Sequence, residues 1–202
     1  MTFLKPADNC DPVALFHQWF DDAQKTEIND PDAACLATAD AQGRPSARMV
    51  LVRQVDARGF VFFTNGHSIK GRQMMENPHA ALCYHWKSLR RSVRVEGHVE
   101  TIAEAESDSY FTGRPRGSRI GAWASQQSEP LESREALVAR VAALTAEYGE
   151  NADVPRPPHW HGYRIVSTRI EFWQDGEFRL HDRFAFTRMA EQDRWTIQRL
   201  YP

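Results

Sequence analysis

Three apolar runs follow one another with almost no chain between them, and this constrains the fold more than any other feature of the sequence. AACLATA (33–39), ARMVLVRQV (47–55) and FVFFTN (60–65) are separated only by DAQGRPS and by the turn from Asp56 to Gly59. Each has the length and apolar content of a buried strand. Connections this short join antiparallel neighbours, because a parallel neighbour needs a crossover of roughly a dozen residues or more. A doubly wound parallel sheet is therefore excluded here, and no GxGxxG or Walker sequence is present.

The rest of the chain continues the pattern. HAALCYHW (79–86), SVRVEGHVETI (92–102), YRIVSTRIEFW (163–173), FRLHDRFAFTR (178–188) and RWTIQRLYP (194–202) read as further strands, with a turn at Asp175-Gly176. Helices are expected in four places. Asp11-Pro12 opens the first, with Val13, Phe16, Phe20 and Ala23 at helical spacing. Ser68 caps a second, which Pro78 ends. AEAESDSYF (103–111) is a third, and Ser133 to Tyr148 is amphipathic, with Leu137, Val141, Leu144 and Tyr148 on one face. RPRGSRIGAWASQQSEP is an irregular Arg-rich segment around a short helix, and ENADVPRPPHW reads as an exposed loop. About seven strands with intervening helices imply an α+β protein on an antiparallel barrel or sandwich. Residues 1–10 read as a short arm and 11–202 as a single domain.

Composition narrows the function classes. A net charge of -2 gives no global field for nucleic acid or an anionic membrane, so any anion site must be local. No run approaches the ~20 apolar residues of a membrane helix, and the first ten residues hold no signal-like stretch. Cys10, Cys35 and Cys83 form neither a disulfide framework nor a zinc pattern, which suits a reducing cytoplasm. His159 and His161 lack a third ligand at a recognisable spacing.

Four constellations could carry chemistry. SIKGR (68–72) sets Lys70 beside a helix start, an arrangement that suits a phosphate but also occurs in ordinary solvated helices. Arg48 and Arg53 stand five apart on one strand and so point to opposite faces unless the strand bulges. RPRGSR offers Arg114, Arg116, Arg119 and Ser118, with Tyr110 one turn earlier; guanidinium forks suit a phosphate monoester, though such a cluster is also a common solvated face. In EFWQDGEFRLHDR, Arg179, His181 and Arg183 alternate behind Trp173 and are expected to share one strand face, a poor core and a plausible site.

IEFWQDGEFRLHDR is similar to the C-terminal signature of pyridoxamine 5'-phosphate oxidases. ARMVLVR, FFTNGHSIKGRQ, YFTGRPRGSRIGAWASQQS and the final RL-x-P also resemble that family, in the family's order. The resemblance implies an FMN-binding split barrel with peripheral helices, working as a homodimer with FMN at the interface. It implies oxidation of pyridoxamine or pyridoxine 5'-phosphate to pyridoxal 5'-phosphate, with hydride passing from the substrate's C4' carbon to flavin N5 and O2 yielding H2O2. By the same resemblance FMN meets Arg48, Met49, Val50, Leu51, Val52 and Arg53, then Phe63, Thr64 and Lys70, and finally Gln127, Ser128, Trp173 and Arg183. The substrate phosphate meets Tyr110, Arg114 and Ser118, with Arg53 near it, while Arg179 and His181 hold the pyridine ring and are the candidate catalytic pair. Lys70 and Trp173 are expected to touch one common molecule, across subunits if need be.

The chain departs from the family pattern at Arg53 (commonly lysine), Ile69 (often arginine) and Ser92 (commonly glutamine), and no Arg or Tyr precedes Asp11. These changes touch the substrate pocket and its cover. Two alternatives follow: a related FMN oxidase of the phenazine-biosynthesis type, or a flavin-binding split barrel without efficient turnover.

Overall fold

The computed structural model describes residues 6–7, 9–149, 152–188 and 194–202. The expected arm at 1–10 lies mostly outside these residues. Helix α1 (Pro12–Thr26) starts where Asp11 accepts a hydrogen bond from the Val13 amide, and Pro12 costs nothing at a position with no helical acceptor. Its buried stripe is Leu15, Phe16, Trp19 and Ala23. Val13 and Phe20 are only partly covered, so the inward face is rotated from the expected one.

Strands β1 (Ala33–Ala39), β2 (Pro45–Asp56) and β3 (Gly59–Asn65) form the antiparallel meander. Helix α2 (Ile69–Glu76) leads to β4 (His79–Trp86) and β5 (Arg91–Thr101). Helices α3 (Glu104–Thr112), α4 (Arg116–Ala124) and α5 (Arg134–Tyr148) precede the long β6 (Trp160–Gln174), followed by β7 (Asp182–Thr187) and β8 (Thr196–Leu200). The described residues thus hold eight strands, one for each run read as a strand in the sequence. The sheet order is β3-β2-β1-β4-β5-β6-β7-β8, and β3 also pairs with β6. Six strands therefore close into an antiparallel barrel, an α+β split barrel.

β6 makes the closure possible because it has 15 residues and serves several neighbours along its length. One edge pairs with β5 from Tyr163 to Gln174, while the other edge pairs with β3 over the first half and with β7 over the second. The change of partner coincides with a register shift at Glu96/Gly97 of β5. A Cβ on Gly97 would stand 2.1 Å from the Val166 carbonyl oxygen, so only glycine permits this approach. Phe16 plugs one end of the barrel, edge-on to Phe60 and Tyr84 at 5.0 and 5.2 Å between ring centroids. α5 buries no residue fully; its expected face of Leu137, Val141, Leu144 and Tyr148 is half-covered, and the helix packs on α4. No helix among the described residues is long and apolar enough to cross a membrane.

Candidate active site

A cavity of about 490 Å³ opens between β2, β3, the start of α2 and the segment from Tyr110 to Gln127. Local sequence builds each wall. Ser68 accepts from the Gly71 amide at 3.3 Å and so caps α2. A Cβ on Gly71 would lie 2.2 Å from the Gly66 carbonyl oxygen, so this helix start can sit down on its own turn only without a side chain. Lys70, 8% exposed, then reaches inward and donates to Gln127 Oε1 at 3.0 Å, Thr64 Oγ1 at 3.2 Å and Ser68 Oγ at 3.3 Å.

Burial, and then the neighbouring Arg48, lower the Lys70 pKa from 10.5 to about 8. Arg48 donates to Thr38 Oγ1 at 2.5 Å and Ser46 Oγ at 2.6 Å. It stands behind Lys70 rather than on the cavity wall. Among the described residues neither cation has a carboxylate partner. Two adjacent, partly desolvated cations held only by neutral oxygens are an arrangement that suits an anion.

Arg114 enters the same cavity from the turn after α3. Its guanidinium lies 4.9 Å from the Trp160 ring, and its buried Nη1 has no hydrogen-bond partner. Burial lowers its pKa; Tyr110 opposes this and Arg53 adds to it. Tyr110 stacks on Phe63 at 3.8 Å, nearly parallel, and Phe63 faces Trp160 at 5.2 Å. Ser118 completes this side of the cavity. The region thus offers a second anion position with a cation, two hydroxyls and a rigid aromatic backing.

Of the residues expected to contact FMN or the substrate phosphate, Met49, Val50, Leu51 and Arg53 line the cavity from β2, and Phe63, Thr64 and Lys70 from β3 and α2. Tyr110, Arg114, Ser118 and Gln127 line it from the other side. Val52 does not: its side chain is buried and borders a different cavity beneath α1. Ser128 lies outside as well, exposed and with a φ of 77°. Arg48 and Arg53 are not on a regular strand, because β2 shifts register against β3 between Val52 and Gln54. Trp160 was hidden in the proline-rich stretch read as a loop, and Ser125, also on the wall, gave no signal beyond its place in the Arg-rich segment.

Trp173, His181 and Arg183 gather elsewhere. Ser92, Trp173 and Arg183 are register partners across β5, β6 and β7, and they line a groove of about 420 Å³ that shares no residue with the first cavity. Glu171, buried beneath them, accepts from Arg183 at 2.6 Å, Arg94 at 2.7 Å and Arg169 at 2.8 Å. Burial pushes its carboxyl pKa up, but the arginines outweigh this and hold it below the usual range. Ser92 donates to the Tyr84 carbonyl at 2.7 Å, so its hydroxyl is turned to the backbone.

The expected Arg179-His181-Arg183 face is not a strand face. β7 begins only at Asp182, and Glu177–Arg179 is a 3₁₀ turn with Phe178 and Arg179 at φ 55° and 65°. Alternation needs extended backbone, and this turn removes it. Arg179 is exposed at the tip. His181 lies against Trp173, ring centroids 4.7 Å apart. Its Nδ1 is 3.1 Å from the Gly176 amide, a donor when Nδ1 is bare, and 3.1 Å from Asp175 Oδ1, an acceptor when Nδ1 is protonated. Either way Nδ1 is engaged, and Nε2 has no partner among the described residues.

No group of three or more metal-ligating side chains occurs among the described residues.

Comparison with known proteins adds three findings. A family described as "Pyridoxamine 5'-phosphate oxidase" matches residues 20–148, and one described as "Pyridoxine 5'-phosphate oxidase C-terminal dimerisation region" matches 160–202. A curated relative from Azorhizobium caulinodans, named Pyridoxine/pyridoxamine 5'-phosphate oxidase, is 57% identical over 95% of this chain and 90% of its own length. Among solved structures, PhzG from Burkholderia lata in complex with tetrahydrophenazine-1-carboxylic acid is 32% identical, with a TM-score of 0.89 over 98% of this chain and 95% of that one. A pyridoxamine 5'-phosphate oxidase-related, FMN binding protein from Nostoc punctiforme shares the fold at a TM-score of 0.76 and 16% identity, covering 96% of this chain and 99% of that one.

Proposed function

The chain belongs to the pyridoxamine 5'-phosphate oxidase family, and on that premise we propose that it is an FMN-dependent oxidase that converts pyridoxamine or pyridoxine 5'-phosphate to pyridoxal 5'-phosphate, with O2 as acceptor and H2O2 as by-product. One observation carries this reading: Lys70, with Arg48 behind it, and separately Arg114 bring two partly buried cations without carboxylate partners to one cavity. Such cations call for two anions, and the proposed cofactor and substrate each end in a phosphate. The identity of 57% to the vitamin B6 enzyme, against 32% to PhzG, favours the pyridine substrate over a phenazine.

The residues fit the cofactor. Lys70, Thr64 and the start of α2 suit its phosphate, and Ile69 leaves that task to Lys70 with Arg48 behind it. β2 from Met49 to Leu51 supplies an edge along which a flat ring can lie. A bound flavin supplies a two-electron acceptor that oxygen returns to its oxidised form.

The chain's own residues do the positioning. Arg114, Tyr110, Ser118 and Arg53 hold the substrate phosphate. His181, fixed by Trp173 and through Nδ1, presents Nε2 to the ring, and Arg179 closes over it from the turn. Because the groove of Trp173 and Arg183 is separate from the Lys70 cavity, one site needs both halves from two chains. The match to a dimerisation region over 160–202 supports a homodimer in which each cofactor lies between subunits.

The test is direct. Purified protein is examined for flavin absorption, then given pyridoxamine 5'-phosphate in air while pyridoxal 5'-phosphate and peroxide are followed. Yellow protein forming both products in equal amounts supports the reading; yellow protein with no product refutes it.

A further inference from the structure

Arg53 stands at the point where β2 slips against β3, and the residue lines two cavities, the one described above and the one beneath α1. On the α1 side, Nη1 donates to Asp32 Oδ2 at 2.6 Å. Asp32 is fixed there because its carbonyl accepts from the Val52 amide at 3.0 Å, immediately before β1. On the other side Arg53 lies close enough to Arg114 to lower that residue's pKa. The Nε and Nη2 of Arg53 make no hydrogen bond among the described residues.

Two guanidiniums lining one cavity repel, and a long side chain that is 38% exposed is free to swing into solvent unless anchored. An arginine held by one edge of its fork keeps the other edge directed; a lysine, with a single point charge, cannot serve both sides. From this geometry we propose that Asp32 is a positioning residue: it holds Arg53 beside Arg114 so that the two guanidiniums close on the phosphate of the ring substrate. This rests on the reading of the cavity as a phosphate site. It also accounts for an arginine at position 53, because a fork can keep one edge on Asp32 while it directs the other into the cavity.

The sign of the effect separates this role from bare electrostatics. Removing a carboxylate near an anion site strengthens anion binding if Coulomb forces alone act. Removing an anchor weakens it. The experiment uses flavin-loaded wild type, Asp32→Asn, Asp32→Glu, Arg53→Lys and the Asp32→Asn/Arg53→Lys double variant. It measures KM and kcat for pyridoxamine 5'-phosphate, calorimetric binding of inorganic phosphate, and flavin content.

Asp32→Asn is expected to raise KM and weaken phosphate binding about tenfold, the scale of one misplaced charge-assisted hydrogen bond, with kcat changed by less than about twofold and flavin retained. Asp32→Glu, which keeps the charge, should recover part of the loss, and in the Arg53→Lys background Asp32→Asn should add little. Tighter or unchanged phosphate binding in Asp32→Asn overturns the proposal. So does an equal penalty in both backgrounds, or flavin loss in step with KM. Should Asp32→Asn not fold, Asp32→Ala in the wild-type and Arg53→Lys backgrounds decides: weaker phosphate binding in the first background alone upholds the proposal, and an equal penalty in both overturns it. A wild type that binds phosphate but does not oxidise the substrate would refute the oxidase reading, while the phosphate titrations still decide the role of Asp32.

Discussion

The imidazole of His181 rests against the indole of Trp173 with ring centroids 4.7 Å apart and planes tilted by 47°. The indole fixes one face of the imidazole while Asp175 and Gly176 engage Nδ1. The group that remains available is Nε2, with Arg179 on the adjoining turn. His181→Ala and Arg179→Ala should each lower kcat by roughly 10- to 100-fold, the scale of lost orientation, while purified protein keeps its flavin. Absorbance at the flavin bands and initial rates of aldehyde formation check this. Equal loss of flavin and turnover would contradict it.

Lys70 gives a pH dependence whose sign is fixed. Its pKa is lowered to about 8, so the amine is charged below that pH and neutral above it. A bound phosphate favours the charged form, so binding takes up a proton in alkaline solution. FMN affinity of the apoprotein should be level between about pH 7 and 8, above the phosphate's own second ionisation, and fall as pH rises through 8 to 10. Flavin fluorescence quenching across that range measures it, and Lys70→Met should bind more weakly and lose most of the slope.

Gly71 is required by space rather than by φ. With a Cβ meeting the Gly66 carbonyl oxygen at 2.2 Å, Gly71→Ala must lift the start of α2 away from its turn. Overpacking of this kind costs about 1–3 kcal/mol. The melting temperature of the apoprotein should fall, and FMN affinity should fall with it because Lys70 moves. Gly117→Ala in α4, which meets nothing within 4 Å, is the control: it should leave FMN affinity unchanged and not lower the melting temperature, since alanine favours the helix.

Much of this architecture was legible from residue alternation. β1 and β4 begin and end where their apolar runs do, because each is bounded by turn residues and alternates in burial along the barrel wall. Ser68 and Asp11 were readable as caps because capping is a local interaction. Arg179 was misplaced because the turn before β7 depends on left-handed residues, Phe178 and Arg179, whose side chains do not announce it. The slip at Arg53 was equally hidden, since a bulge is set by the partner strand. Trp160 looked like loop and became cavity wall, because β6 begins only where β3 offers an edge. The separation of Trp173 from Lys70 is a property of the closed barrel, which no local pattern encodes.

The claim that each site is assembled from the Lys70 half of one chain and the Trp173 half of another is tested most directly by subunit mixing. Lys70→Met and Trp173→Ala are assayed alone at an FMN concentration where each is strongly impaired, then unfolded together in equal amounts, refolded with the same FMN and assayed. Random pairing makes half the dimers mixed, each with one wild-type site, so activity should return to about one quarter of wild type. Activity that stays at the sum of the two parents would contradict a shared site.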